Sequence, residues 1–319
     1  MDVLPEQIIP IKIKNNFGDS AVVLNYGARL HQWQPELDGK KRELLLSYSN
    51  IEDYLNDAAY LGAIAGPFAN RIANGEVSID GKTIELGCNE GNNHLHGGPI
   101  ALHNCFWQVK RQEESSVTLV LHYDSSAKTQ MTYPGPIQFE VTYSIANSGE
   151  LLIQMHAETE QTTCVGMTGH AYFNLSEDKE SIDAHALKIN AAHYTPVDHE
   201  NIPTGELKAV HDKFDFTAIR AISDDVDHNF ALNNNADVAA IALSPSCDIK
   251  LSVSTNYPGI QLYTGHGLGE PFLPRQGFCL EPQFFPNSPN ETAFAFEWTT
   301  PDKPFSRFIK YNVCSNSPS

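Results

Sequence analysis

Apolar residues recur at every second position over strand-length stretches along almost the whole chain, and that period restricts it to sheet. The segments IIPIKIK (8–14), SAVVLNYG (20–27), VTLVLHY (117–123), IQFEVTYSI (137–145), ELLIQMHAET (150–159) and IKLSVST (249–255) alternate or run apolar and are rich in Val, Ile, Tyr and Thr. Gly, Asn, Asp or Pro turns separate them. Helical periodicity is almost absent, and the best short-helix candidate, NIEDYLNDAAYLG (50–62), has room for one or two turns. Closely spaced strands with no βαβ rhythm imply antiparallel sheets packed face to face. No low-complexity linker and no internal repeat divides the chain. The expected architecture is all-β: one large antiparallel β-sandwich domain over 1–319, with few short helices.

Composition narrows the partners. With 41% hydrophobic residues and a mean hydropathy of -0.31, no stretch approaches the roughly 20 apolar residues of a membrane span. The start, MDVLPEQIIPIKIKNN, lacks the basic and apolar regions of a secretory signal. Cys88, Cys105, Cys164, Cys247, Cys279 and Cys314 are scattered with no CxxC pair, which fits reduced thiols filling the core of a cytoplasmic protein. A net charge of -18 and a pI near 5.0 argue against nucleic acid, which needs basic patches to displace counterions. The same field disfavours a strongly anionic small substrate and leaves a neutral one unaffected.

Several polar islands interrupt the strands. In GFCLEPQFFPNSPN (277–290), Glu281 follows an apolar run, and Pro282, Pro286 and Pro289 are expected to stop the strand at Leu280. A carboxylate held at a rigid strand end suits a general base, although a capping or ion-paired Glu is the commoner role. GPFANRIANG (66–75) embeds Asn70 and Arg71 among small and apolar residues. Its guanidinium is suited to gripping hydroxyls or a carboxylate, and equally to tying down a loop. NNHLHGG (92–98) places His94 and His96 on one side of an extended segment. No acidic or Cys ligand stands at metal-binding spacing beside them, so no metal is expected.

TGHAYFNL (168–175) puts His170, Tyr172 and Asn174 on one face of a strand and Phe173 and Leu175 on the other. Imidazole titrates near neutrality and is well suited to donating a proton, but a lone His among aromatics is more often a satisfied interior residue. DDVDHNF (224–230) offers Asp227, and GIQLYTGHGL (259–268) offers Gln261, Tyr263 and His266 at a strand leading into a Gly-rich turn. No covalent-nucleophile motif such as GxSxG accompanies them.

Together with YTPVDHENIPTGE (194–206), these stretches stand in the order found in aldose 1-epimerases, the galactose mutarotases, which the chain resembles over at least residues 60 to 290. The resemblance implies a large galactose mutarotase-like β-sandwich that binds a free aldose in an open groove and interconverts its α and β anomers without a cofactor. It implies Glu281 as general base, His170 as general acid, and Asn70, Arg71, His96, Asp227 and Gln261 as substrate contacts. The partner implied is a small aldose, with the protein a monomer or homodimer and neither nucleic acid nor membrane involved. Three positions depart from the family pattern and bear on sugar preference. They are Pro67, where Arg is commoner, Phe284, where a polar residue is commoner, and His266, where Asn is commoner. Rival readings are a hexose 6-phosphate mutarotase, a sugar-binding domain without catalysis, and a glycosidase using Asp227 with Glu281.

Overall fold

The computed structural model describes residues 7–123, 133–233 and 237–315. Its largest sheet has nine antiparallel strands in the order Gln108–Gln112, Ser116–Tyr123, Ile137–Ile145, Leu151–Thr159, Phe305–Ser315, Ile249–Thr255, Ala240–Leu243, Ala186–Ile189 and Arg220–Ala221. Its centre is built by the most regular alternation in the sequence. Ile137–Ile145 lies against Leu151–Thr159 in continuous register, from Ile137 opposite Thr159 to Ile145 opposite Leu151. Odd-numbered residues of both strands are buried and even-numbered ones half-buried or exposed. A one-residue slip would turn the whole apolar set outward, so the pattern also fixes the register.

A second sheet of six strands runs Tyr172–Phe173, Phe278–Gln283, Gly259–Tyr263, Asp227–Ala231, His193–Tyr194 and Lys208–Ala209. A three-stranded sheet is formed by Pro10–Lys14, Ser20–Leu24 and Arg29–Gln34. Phe139, Val141, Ile153 and Leu251 of the large sheet share one apolar cluster with Phe230, Ile260, Leu262, Phe278 and Leu280 of the six-stranded one, which makes the two a sandwich. Every residue of Phe278–Gln283 is buried. Phe278 and Leu280 face the shared core, so Cys279 and Glu281 face the opposite way, under the cover of loops.

Two expectations are corrected. The strand bearing Glu281 does not stop at Leu280 but continues through Pro282 to Gln283. Tyr172–Phe173 pairs with it only as far as Cys279, so the missing N–H of Pro282 interrupts no ladder on that flank. Only Cys164 and Cys279 are buried, whereas Cys88 and Cys247 are exposed, so the cysteines are not uniformly core fillers. The short-helix candidate at 50–62 is present at the expected length of one or two turns. It forms a 3₁₀ turn, Ile51–Asn56, whose first turn is capped by Asn50 Oδ1 accepting from the Glu52 N–H, and it ends at Asp57 in extended backbone. Among the described residues no helix is long and apolar enough to cross a membrane.

Candidate active site

A cavity of about 510 Å³ opens on the outer side of the six-stranded sheet, with Glu281, His170, His96, Asn70, Arg71 and Asp227 in its wall. Glu281 is set by its strand, paired opposite Gln261. His170 sits at the break between two short strands, Thr168–Gly169 and Tyr172–Phe173. Its N–H donates to Ala63 O at 2.8 Å and its carbonyl accepts from the Gly62 N–H at 3.0 Å, which clamps the backbone on both sides. The two side chains meet with His170 Nε2 3.6 Å from Glu281 Oε2, and both are almost fully buried. Behind the ring, Cys279 Sγ lies 3.5 Å from His170 Nδ1.

Burial governs the protonation of this pair. It pushes Glu281 well above the usual carboxylate range, a rise reinforced by the charge of Asp227 and opposed by that of Arg71. It pulls His170 down to about 4. Both shifts run against ionisation, so burial favours the neutral form of each group. Moving one proton between them gives carboxylate and imidazolium with no change in net charge, a pair matched for exchanging protons with a neutral ligand. Among the described residues Glu281 Oε2 is buried and has no hydrogen-bond partner, so it is open to a donor entering the cavity.

His94 and His96 do not share a face. His96 has φ +50, so the extended alternation ends at Leu95 and the two rings diverge. His94 is sealed inside, with Nε2 2.7 Å from Tyr133 Oη and Nδ1 2.7 Å from Gly87 O. His96 turns into the cavity, and its Nδ1 accepts the Asn70 N–H at 3.1 Å while its own N–H donates to Asn70 O at 3.1 Å. Burial, with His170 and His103 nearby, holds His96 well below the normal histidine range. A neutral ring whose Nδ1 accepts carries its proton on Nε2, so His96 presents a donor to the cavity.

That tautomer bears on a nearby cluster of possible metal ligands. His96, His170 and Glu281 bring ligand atoms within 4.8 Å of one another, a cluster that sequence spacing did not reveal. Metal-bound histidine donates its outer N–H and offers the other nitrogen's lone pair, whereas His96 has the reverse polarity.

Arg71 lies on a short strand paired with His94–Leu95, and Asn70 precedes it at φ +63. Asn70 Oδ1 accepts the Arg71 N–H at 2.9 Å, which leaves the amide nitrogen for the cavity. Asp227 accepts from Gln261 Nε2 at 2.6 Å. Gln261 itself is 3% exposed and is not part of the cavity wall; with Gln283 and Asn229 it forms a buried amide row behind Asp227. Of the two aromatics in 168–175, Tyr172 lines the cavity and Phe173 belongs to the core. Asn174 points away, donating to Glu180 O and Gln276 O. His266 is at the cavity wall, while Phe284 packs elsewhere, against Tyr257 and Phe296.

Sequence reasoning missed Tyr60 and Asp57. Tyr60, at φ +57, sets its ring in tilted contact with two imidazoles, 4.7 Å from His96 and 5.7 Å from His170 between ring centres. Asp57 fixes the segment carrying it, accepting from Ala59 N, Leu61 N, Tyr48 Oη and Arg29 Nη1, the last a fully buried ion pair at 2.7 Å. No motif marks these roles, because each depends on contacts distant in sequence.

Comparison with known proteins completes the picture. The family model described as aldose 1-epimerase matches residues 10–310. The aldose 1-epimerase of Escherichia coli K12 is 34% identical over 316 residues, covering 92% of this chain and 89% of that protein. Human galactose mutarotase is 32% identical, covering 80% of this chain and 79% of its own length. Among solved structures, a GalM/aldose epimerase homologue from Caenorhabditis elegans superposes with a TM-score of 0.90 at 29% identity, covering 97% of this chain and 99% of that one. A galactose 1-epimerase from Lactobacillus acidophilus gives 0.85 at 26%, covering 98% of each.

Proposed function

Because the chain belongs to the aldose 1-epimerase family and is an isomerase of that kind, we propose that it interconverts the α and β anomers of free hexoses such as galactose and glucose, serving hexose metabolism in the cytoplasm. The observation that carries this reading is the 3.6 Å approach of His170 Nε2 to Glu281 Oε2 in one cavity. The hydroxyl oxygen and ring oxygen of a hemiacetal sit on the same carbon, so an acid and a base must stand side by side to serve both. In the ion-paired form, the Glu281 carboxylate takes the proton of the anomeric hydroxyl while the His170 imidazolium gives one to the ring oxygen as its bond to C1 breaks. The pair is left neutral, the form its burial favours. The aldehyde turns about C1–C2, and as the ring closes on the other face His170 takes the proton back from the O5 hydroxyl while Glu281 gives its proton to the carbonyl oxygen, restoring the ion pair.

The remaining groups hold what must not turn. Arg71, the Asn70 amide and the His96 Nε2–H supply donors, and Asp227 supplies an acceptor for the non-reacting hydroxyls, converting binding into orientation. Gln261 acts in this scheme through Asp227. Following the optical rotation of freshly dissolved α-D-galactose and α-D-glucose tests the proposal. Acceleration beyond the solvent rate is expected; a protein that binds these sugars without accelerating the change would be a binding domain, and the reading would fall.

A further inference from the structure

The guanidinium of Arg71 is engaged on two of its three nitrogens before any ligand arrives. Nε donates to Glu90 Oε2 at 2.6 Å and Nη2 to Glu90 Oε1 at 2.8 Å, the parallel pair of bonds in which carboxylate and guanidinium fit best. Nη1 makes no hydrogen bond among the described residues, and Arg71 lines the cavity while Glu90 does not. Glu90 is itself held. Its backbone exchanges bonds with Asn93 at 3.1 and 2.9 Å, and the Asn89 side chain ties the same loop to both the N–H and the carbonyl of Leu95, the residue paired opposite Arg71. Donor and clamp are two arms of one small unit.

Without the clamp, the acidic side chains that share the cavity wall with Arg71 include Asp227 and Glu281. A released guanidinium would turn onto them and fill the space of the sugar. We propose that Glu90 is a positioning residue, holding Arg71 so that one N–H group reaches the ligand and matching its charge so that the site takes uncharged sugars rather than phosphorylated ones or uronates. This rests on the sugar-binding role proposed for Arg71.

The test compares wild type, E90Q and E90D in mutarotation of α-D-galactose, with side-chain ¹⁵N NMR of Arg71 and calorimetric titration of D-galactose and D-galacturonate. Glu90 is half-exposed, so the variants are expected to fold. E90Q should raise KM about tenfold, the scale of one displaced charge-assisted hydrogen bond, with kcat within about twofold. It should release the hindered rotation of the guanidinium and narrow the preference for galactose over galacturonate; E90D should recover most of KM. An unchanged KM, or a fall in kcat with KM kept, overturns the proposal. If wild type binds galactose but does not epimerise it, the proposed activity fails alone, and equal galactose affinities of wild type and E90Q would then sink the role of Glu90. No galactose binding by wild type sinks both.

Discussion

Replacing Glu281 by Gln should separate activity from stability. The amide keeps the shape of the carboxyl group but cannot accept the anomeric proton, so kcat is expected to fall 10²- to 10⁴-fold, or about 3–5 kcal/mol of barrier. Stability should not follow. Glu281 is 2% exposed, its Oε2 has no partner, and burial raises its pKa, so the folded state holds a proton to higher pH than the unfolded chain does. That contribution is fully present below the ordinary 4.5 and declines as pH rises toward the folded value. His170 has the opposite sign. Lowered from 6.5 to about 4, it makes stability rise with pH across that interval, by up to about 3 kcal/mol. In wild type the two slopes oppose each other as pH rises above 4.5. In E281Q only the histidine slope remains. Urea unfolding at pH 5 and pH 7 should show the variant gaining more stability with pH than wild type and matching or exceeding it at pH 7. Polarimetric activity above about a tenth of wild type would refute the catalytic argument. A loss of more than about 2 kcal/mol at pH 7 would refute the burial argument, since it would mean the carboxyl group is well satisfied in the fold.

Other expectations can be checked with the same preparations. H170Q should lower kcat by about 10²-fold or more while galactose binding by calorimetry changes little; an equal loss in both would make His170 a binding group instead. D57N should cost about 3–5 kcal/mol in urea unfolding, because it strands the fully buried Arg29 cation, and a loss under 1 kcal/mol would show that water reaches the pair. Prolonged EDTA treatment should leave mutarotation unchanged, given the proton on His96 Nε2; loss restored by one divalent metal would show that the tautomer is wrong.

What the sequence disclosed and what it hid divide along physical lines. The strands 137–145 and 249–255 appear in the fold with the limits their alternation sets, since each is specified by its own residues. The island residues Glu281, His170, His96, Asn70, Arg71 and Asp227 share one cavity. Gln261 was implied as a contact by the family resemblance alone, which does not show that its amide is spent on Asp227 of the neighbouring strand behind the cavity wall. His94 read as the twin of His96 because a single left-handed residue, invisible in composition, reverses the side. Glu90, Asp57 and Tyr60 were silent for the same reason: their partners lie across loops whose path only the assembled sheets determine.

Tyr60, Asn70 and His96 all occupy the left-handed region, where a side chain other than Gly is costly unless its surroundings insist on it. Three walls of the cavity are therefore cast in a backbone shape that tolerates few replacements, whatever the new side chain offers a ligand. Drift toward a different sugar has little freedom there. It has more along the exposed lip from His266 to Glu270, where variation can reshape the entrance while the interior mould is left alone.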